Sequence, residues 1–238
     1  MTEADNDIAG SYRDRMSKPS PRRLPRGRHA LPRDEVARLQ RSRLCLAMAE
    51  VMVEKGYVRT SVEDVLKRAV VSRQSFYQLF DSKLDCFMSA FDRAGELLLR
   101  RVLQSSGLSG PGRDADPPDR FASATDAYVD ALIEEWPFAR LFLVEVYAAG
   151  PEAVGRRTRL QADLAAALAD LMGATGQAGR FTCQMIVAAM STMVTGPAAD
   201  NDPDRLRTVG PLLVEHVRRL WALGAFTEPD GEGSTPRT

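Results

Sequence analysis

The sequence predicts an all-α chain, and three observations carry that prediction. Apolar residues recur at helical spacing through most of its length. Ser, Thr and Asp stand before these runs, with Gly or Pro after them. Alternating β-branched runs bounded by hairpin turns are nearly absent.

The elements follow in order. Residues 1–31 read as a disordered arm, because eight Arg and Lys between 11 and 33 face a single Asp14 and are interleaved with Pro19, Pro21, Pro25 and Pro32. Ordered structure is expected from Pro32-Arg33-Asp34, with Asp34 as cap and Val36, Leu39, Leu46 and Val53 as the apolar stripe, up to a stop at Gly56. Thr60-Ser61 then precede Glu63 and Asp64 in two overlapping capping-box patterns, opening a short helix through Val65, Leu66 and Ala69. Ser72 opens a second short helix through Phe76, Tyr77 and Phe80. Asp81-Ser82-Lys83 opens a longer one, with Leu84, Phe87, Met88, Phe91 and Leu98 on its apolar face. Residues 105–119 are a loop by composition, and further helices are expected near 120–135, 137–149, 151–173, 178–196 and 203–223. The expected domains are a helix-turn-helix over 32–82, a larger helical domain over 83–226, and a polar disordered tail over 227–238.

Composition removes several function classes. Cys45, Cys86 and Cys183 are an odd number scattered through helices, which is no disulfide framework and fits a reducing compartment. The polar N-terminus lacks the apolar core of a signal peptide. The longest uncharged stretch, Phe181 to Ala199, contains Thr182, Gln184, Ser191 and Thr192 and is expected to break at Gly196-Pro197, so a buried helix is preferred to a membrane span. A cytoplasmic protein is expected. His29 and His216 have no Cys or carboxylate neighbours at ligand spacing, and no serine pairs with a His and an acid, so neither a metal, a cofactor nor an enzymatic activity is expected. Net charge is zero, but residues 1–82 hold 16 basic against 11 acidic side chains and residues 83–238 hold 16 against 21. The front is therefore the part suited to a polyanion.

The chemistry concentrates between Thr60 and Phe87. Three helix N-termini fall there, at Ser61, Ser72 and Ser82, each with free N–H groups suited to phosphate oxygens. On the second short helix, Val71, Phe76, Leu79 and Phe80 can pack inward while Arg73, Gln74, Tyr77 and Gln78 stay outside. Arg pairs with guanine, Gln with adenine, and Tyr donates to phosphate.

Gly56-Tyr57, Thr60-Ser61-Val62, Val71-Ser72-Arg73, Phe76-Tyr77, Phe80 and Ser82-Lys83 together resemble the DNA-binding domain of the TetR family of bacterial regulators, over roughly residues 34–87. The resemblance implies base contacts from Arg73, Gln74 and Gln78 and phosphate contacts from Thr60, Ser75, Tyr77 and Lys83, beside the capping Ser61 and Ser72. One position departs from the pattern: the turn carries Val70 where the family usually has Gly. A left-handed backbone there would strain a β-branched residue.

The resemblance also implies a homodimer through the last two long helices and a small-molecule pocket between helices of the back domain. Phe91, Tyr128, Trp136, Phe142, Tyr147 and Met185 are the candidate effector-binding residues, and their character favours an apolar ligand. The arm suits minor-groove or nonspecific electrostatic contact with DNA. The expected function is a homodimeric repressor released from an inverted-repeat operator on double-stranded DNA by a small apolar ligand, with no membrane role. Two alternatives stay open: a ligand-independent repressor or activator, and a helical ligand-binding or enzymatic domain whose front motif is only structural.

Overall fold

The computed structural model describes residues 32–105 and 115–227, and every described element is helical. The expected arm and most of the expected tail lie outside the described residues. The chain divides into two compact units, residues 1–37 and 38–238. Of the first, the described part is the turn at 32–37, where the carbonyl of Pro32 accepts the N–H groups of Glu35 and Val36. Asp34 therefore lies inside the first turn, where its charge favours the helix dipole, and not at the cap.

The helices are α1 (Arg33–Arg59), α2 (Val62–Ala69), α3 (Arg73–Leu79), α4 (Lys83–Ser105), α5 (Pro117–Glu134), α6 (Trp136–Leu143), α7 (Pro151–Met172), α8 (Gly176–Asp200), α9 (Pro203–Arg207) and α10 (Val209–Ala222). A 3-10 turn, Glu145–Tyr147, follows α6. α1 kinks at Gly56, whose φ of 74° lies where only glycine is at ease. Its buried face is not the expected stripe: Leu44, Cys45, Met48 and Met52 are buried, whereas Leu39 and Leu46 are exposed. Small residues among the large ones, such as Ala47 and Ala49, widen the buried sector beyond what large apolar side chains mark out.

α4 packs on α5 and α6, α7 on α8, and α10 on α5. One continuous core runs from Leu44 and Met48 of α1 through Phe76, Phe80, Phe87 and Phe91 to Leu132, Trp136 and Leu141. The expected boundary at 82/83 is therefore spanned by apolar packing. A second core gathers Phe121, Leu171, Met172, Cys183, Ile186 and Val217 around Phe226.

Three helix boundaries differ from expectation: the helix expected over 137–149 ends at Leu143, before the 3-10 turn. α8 does not break at Gly196-Pro197 but continues to Asp200 and closes on Asn201 in a left-handed conformation. Pro197 is buried near the C-terminal end, and the Arg140 guanidinium donates to the Ala198 and Ala199 carbonyls, so the last turn is held from outside. The expected final helix is two: Asp202 caps α9 through the Arg205 N–H, and Thr208 separates it from α10.

Candidate functional site

The front of the chain builds a rigid head from local hydrogen bonds. Ser61 caps α2 by accepting the Asp64 N–H, while Asp64 accepts the Ser61 N–H and hydroxyl, completing a capping box. Lys55 of α1 donates to the same carboxylate at 2.6 Å. That ammonium first, then the Ser61 hydroxyl and N–H, hold the Asp64 carboxyl well below the usual carboxylate range. Ser72 caps α3 through the Ser75 N–H at 3.0 Å and donates its hydroxyl to Ser75 Oγ. Between the two helices Val70 has φ 54° and ψ 47°, so the turn does need the left-handed backbone. Leu66 O accepts the N–H groups of both Val70 and Val71 there.

Packing then decides which side chains face outward. Phe76 and Phe80 are fully buried, and Arg41 lies over the Phe80 ring while donating to the Leu79 carbonyl. This holds α3 by one face and by its end. Arg73, Gln74, Tyr77 and Gln78 are all exposed, with Tyr77 edge-on to Phe76. The α3 surface thus offers a cation, two amides and a phenol in two helical turns, a set able to pair with base edges and phosphates.

Two expected contact residues are turned inward. The Thr60 hydroxyl is buried and donates to the Gly56 carbonyl. Lys83 Nζ donates to the carbonyls of Tyr57 and Thr60 at 3.0 Å and sits 4.1 Å from the Tyr57 ring centroid. Burial lowers its pKa. Both side chains tie the end of α1 to the rest of the head by donating to the Gly56, Tyr57 and Thr60 carbonyls around the kink, the first two of which also share the Thr60 N–H. Ser61 and Ser72 are likewise committed as caps.

Behind the head, α4, α5, α6, α7 and α8 line a partly open cavity of about 110 Å³. Its wall is almost wholly apolar, with Leu99, Val102, Phe121, Leu164 and Leu171 prominent. The polar residues of its lining are Arg157, Gln161, Ser191, Thr125 and Tyr128. Arg157 is only 3% exposed. Its Nη1 donates to the carbonyls of Phe142 and Leu143 at 2.7 and 3.2 Å, and its Nη2 to Ser191 Oγ and Thr195 Oγ1 at 2.6 and 3.4 Å. The carbonyls are at the C-terminal end of α6, where the helix dipole is negative. Burial pushes the Tyr128 phenol up to about 12, against the opposing pull of the Arg157 charge.

Comparison with known proteins bears on both regions. Residues 46–90 match the family model described as bacterial regulatory proteins, tetR family. The chain's helix-turn-helix belongs to that family. A relative, the HTH-type transcriptional activator FasR of Mycolicibacterium smegmatis, is 28% identical over 147 residues, covering 62% of this chain and 63% of its own length. The fatty acid degradation regulator FadR from Bacillus halodurans has the same fold at a TM-score of 0.61 and 19% identity, covering 75% of this chain and 96% of that one. FadR from Bacillus subtilis, solved in complex with stearoyl-CoA, aligns at a TM-score of 0.59 and 16% identity, over 73% of this chain and 95% of its own. The tetR-type head followed by a helical domain is thus the fold expected from the sequence.

The expected effector residues are dispersed. Tyr128 and Phe142 line the cavity. Phe91 does not: it is buried against Phe142, ring centroids 4.7 Å apart. Trp136 spends its indole N–H on Asn201 Oδ1 at 2.8 Å, closing the end of α8. Tyr147 is exposed beside Arg157, and Met185 lies on the outward face of α8. Among the cavity residues missed by sequence reasoning, beside Thr125, Gln161 and Ser191, is Arg157. It sits in register with Leu160, Leu164, Leu168 and Leu171, a lone cation in an apolar helical stripe.

Proposed function

We propose that this chain is a homodimeric, ligand-responsive transcriptional regulator, with a division of labour between a DNA-reading head over 32–82 and an effector and dimerisation region over 83–226. The observation that carries the reading is the exposed Arg73-Gln74-Tyr77-Gln78 surface on an α3 whose other face is locked into the core. Arg73, Gln74 and Gln78 are proposed to read base edges, and Tyr77 with Ser75 to hold phosphate. One head reaches one half-site, so two-fold symmetry supplies the second. The proposed interface is α8 with α10, supported by exposed Phe181, Met185 and Met193 on the former and exposed Leu212 on the latter.

The effector is an apolar molecule seated against the apolar wall of this cavity. A long acyl chain fits such a wall, and the stearoyl-CoA bound by the Bacillus subtilis neighbour supports that class. Release of a repressor is the primary reading. Activation is the second, favoured by the activator named among the relatives. In either case the ligand must bind one arrangement of the heads better than the other.

Selection of genomic fragments by the purified full chain tests this reading. Enrichment of fragments sharing an inverted repeat, lost in Arg73→Ala, is the expected result. Uniform recovery by both proteins, with and without added acyl ligand, overturns it.

A further inference from the structure

Resting on the reading of the cavity as the effector site, we propose that its ligand is an amphipathic carboxylate whose anionic head is bound inside the cavity by Arg157, with hydroxyl donors from Thr125, Tyr128 and Ser191. The first observation is an uncompensated charge. Arg157 is 97% withdrawn from solvent, and among the described residues no carboxylate pairs with it. No Asp or Glu lines the cavity at all. A buried charge met by carbonyl and hydroxyl dipoles and by the Phe142 and Tyr147 rings, but by no carboxylate, is costly, and an opposite charge beside it recovers much of that cost.

The second observation is independent of the arginine. Thr125 is 2% exposed, lines the same cavity, and its Oγ1 has no hydrogen-bond partner. Arg43 Nε and Arg140 Nε are also buried without partners, but of the three only Thr125 lines the cavity, where another molecule's acceptor can reach it. Ser191 Oγ already accepts from Arg157 Nη2 and from Gln161 Nε2 at 2.7 Å, so its own hydrogen is left to donate. Tyr128, which lines the same cavity, offers a further phenolic O–H. Apart from the Gln161 amide oxygen, each polar group of the lining can therefore donate, the Arg157 Nη hydrogens by exchanging their present acceptors. A carboxylate, with several acceptor sites and one charge, satisfies such a set; an alcohol or an alkane does not.

The position of the head also supplies an output. The Arg157 guanidinium that meets the anion is the one that clamps the Phe142 and Leu143 carbonyls. Drawing it toward the anion loosens the end of α6, two residues before Glu145, which is bonded to the backbone of the DNA-reading head at Tyr57.

Calorimetric titration of the full-length protein with dodecanoate, 1-dodecanol and dodecanoyl-CoA, each below its micellar concentration, tests the proposal. The wild type is expected to bind the acid about tenfold or more tighter than the alcohol, the contribution of a charged hydrogen-bonded pair. Arg157→Gln is expected to close that gap while keeping alcohol binding, and the isosteric Thr125→Val to narrow it several-fold. Should Arg157→Gln not fold, the wild-type comparison and Thr125→Val decide. Equal binding of acid and alcohol by the wild type, or a gap unchanged in both variants, overturns the buried anion site and leaves the apolar effector reading intact. Binding of dodecanoyl-CoA alone does the same, because its head is then held elsewhere. Binding of none of the three overturns the effector reading and this proposal with it.

Discussion

Glu145 Oε2 accepts the backbone N–H of Tyr57 at 2.7 Å, across 88 residues of sequence. The carboxylate is buried, and it meets the chain at the Gly56 kink where α1 gives way to the head's first turn. Glu145 stands on the short 3-10 turn after α6, whose terminal carbonyls Arg157 holds. One hydrogen bond thus joins the segment beside the cavity to the segment that positions α2.

Removing that acceptor is expected to cost stability before it changes anything else. Glu145→Ala leaves the Tyr57 N–H without its partner in a half-buried place, a loss of about 1–3 kcal/mol. Glu145→Gln keeps an acceptor oxygen and is expected to lose less. Urea unfolding of the three proteins checks the order, and an Ala variant as stable as wild type would remove the bond's importance.

Val70 is the strained residue of the turn. Its φ of 54° costs a β-branched side chain about 1–2 kcal/mol. The side chain is 59% exposed, so little burial is lost on removing it. After the extra chain entropy of glycine is subtracted, Val70→Gly is expected to stabilise the protein by up to about 1 kcal/mol. A melting temperature raised by about 2–4 °C is the expected reading for a chain of this size. A lowered one would show that the turn is held by the valine itself.

Gly179 marks a close approach in the second core. A Cβ there would lie 2.2 Å from the carbonyl oxygen of Phe226, which accepts the Thr175 N–H. Backbone cannot give way as a side-chain tip can, so Gly179→Ala is expected to destabilise by about 1–3 kcal/mol. Gly155 on α7 is the control: its added Cβ would come no nearer than 3.9 Å to the Arg159 side chain. Gly155→Ala is expected to stabilise by about 0.5–1 kcal/mol through helix propensity. Thermal melts of the pair should move in opposite directions.

Asp64 makes the head's stability depend on acid. Its folded carboxyl is held below the ordinary aspartate range by Lys55 and by the Ser61 cap. A lowered folded pKa contributes stability that is complete above the unfolded value and is lost as pH falls toward the folded one. The wild type is therefore expected to exceed Asp64→Asn in melting temperature at neutral pH, and the difference to shrink once pH drops through the ordinary aspartate range. A difference that stays constant into that range would place the stabilisation elsewhere.

The head was legible because its signals are local. Caps at Ser61 and Ser72, the glycine at 56 and the inward Phe76 and Phe80 are each set by neighbours within a few residues, and periodicity sorts the α3 faces. Even the strain at Val70 follows from one residue's type in a turn. Local pattern failed where a distant group intervened. Lys83 stands in sequence like a solvated helix-start cation, yet it bonds carbonyls more than twenty residues back. Pro197 ought to end a helix, yet Arg140 and the surrounding core carry α8 past it.

By itself, then, the sequence determined the all-α class, the order of helices and the surface of α3, because helix formation and amphipathic sorting act over one or two turns. Only the tertiary structure decided which of many apolar side chains enclose empty space. Of six aromatic and sulfur-bearing candidates just Tyr128 and Phe142 reach the cavity, while Arg157 does so from an apolar stripe. A cavity is formed by five helices meeting at a distance, and its wall depends on how their faces turn toward one another. No single helix carries that information in its own periodicity.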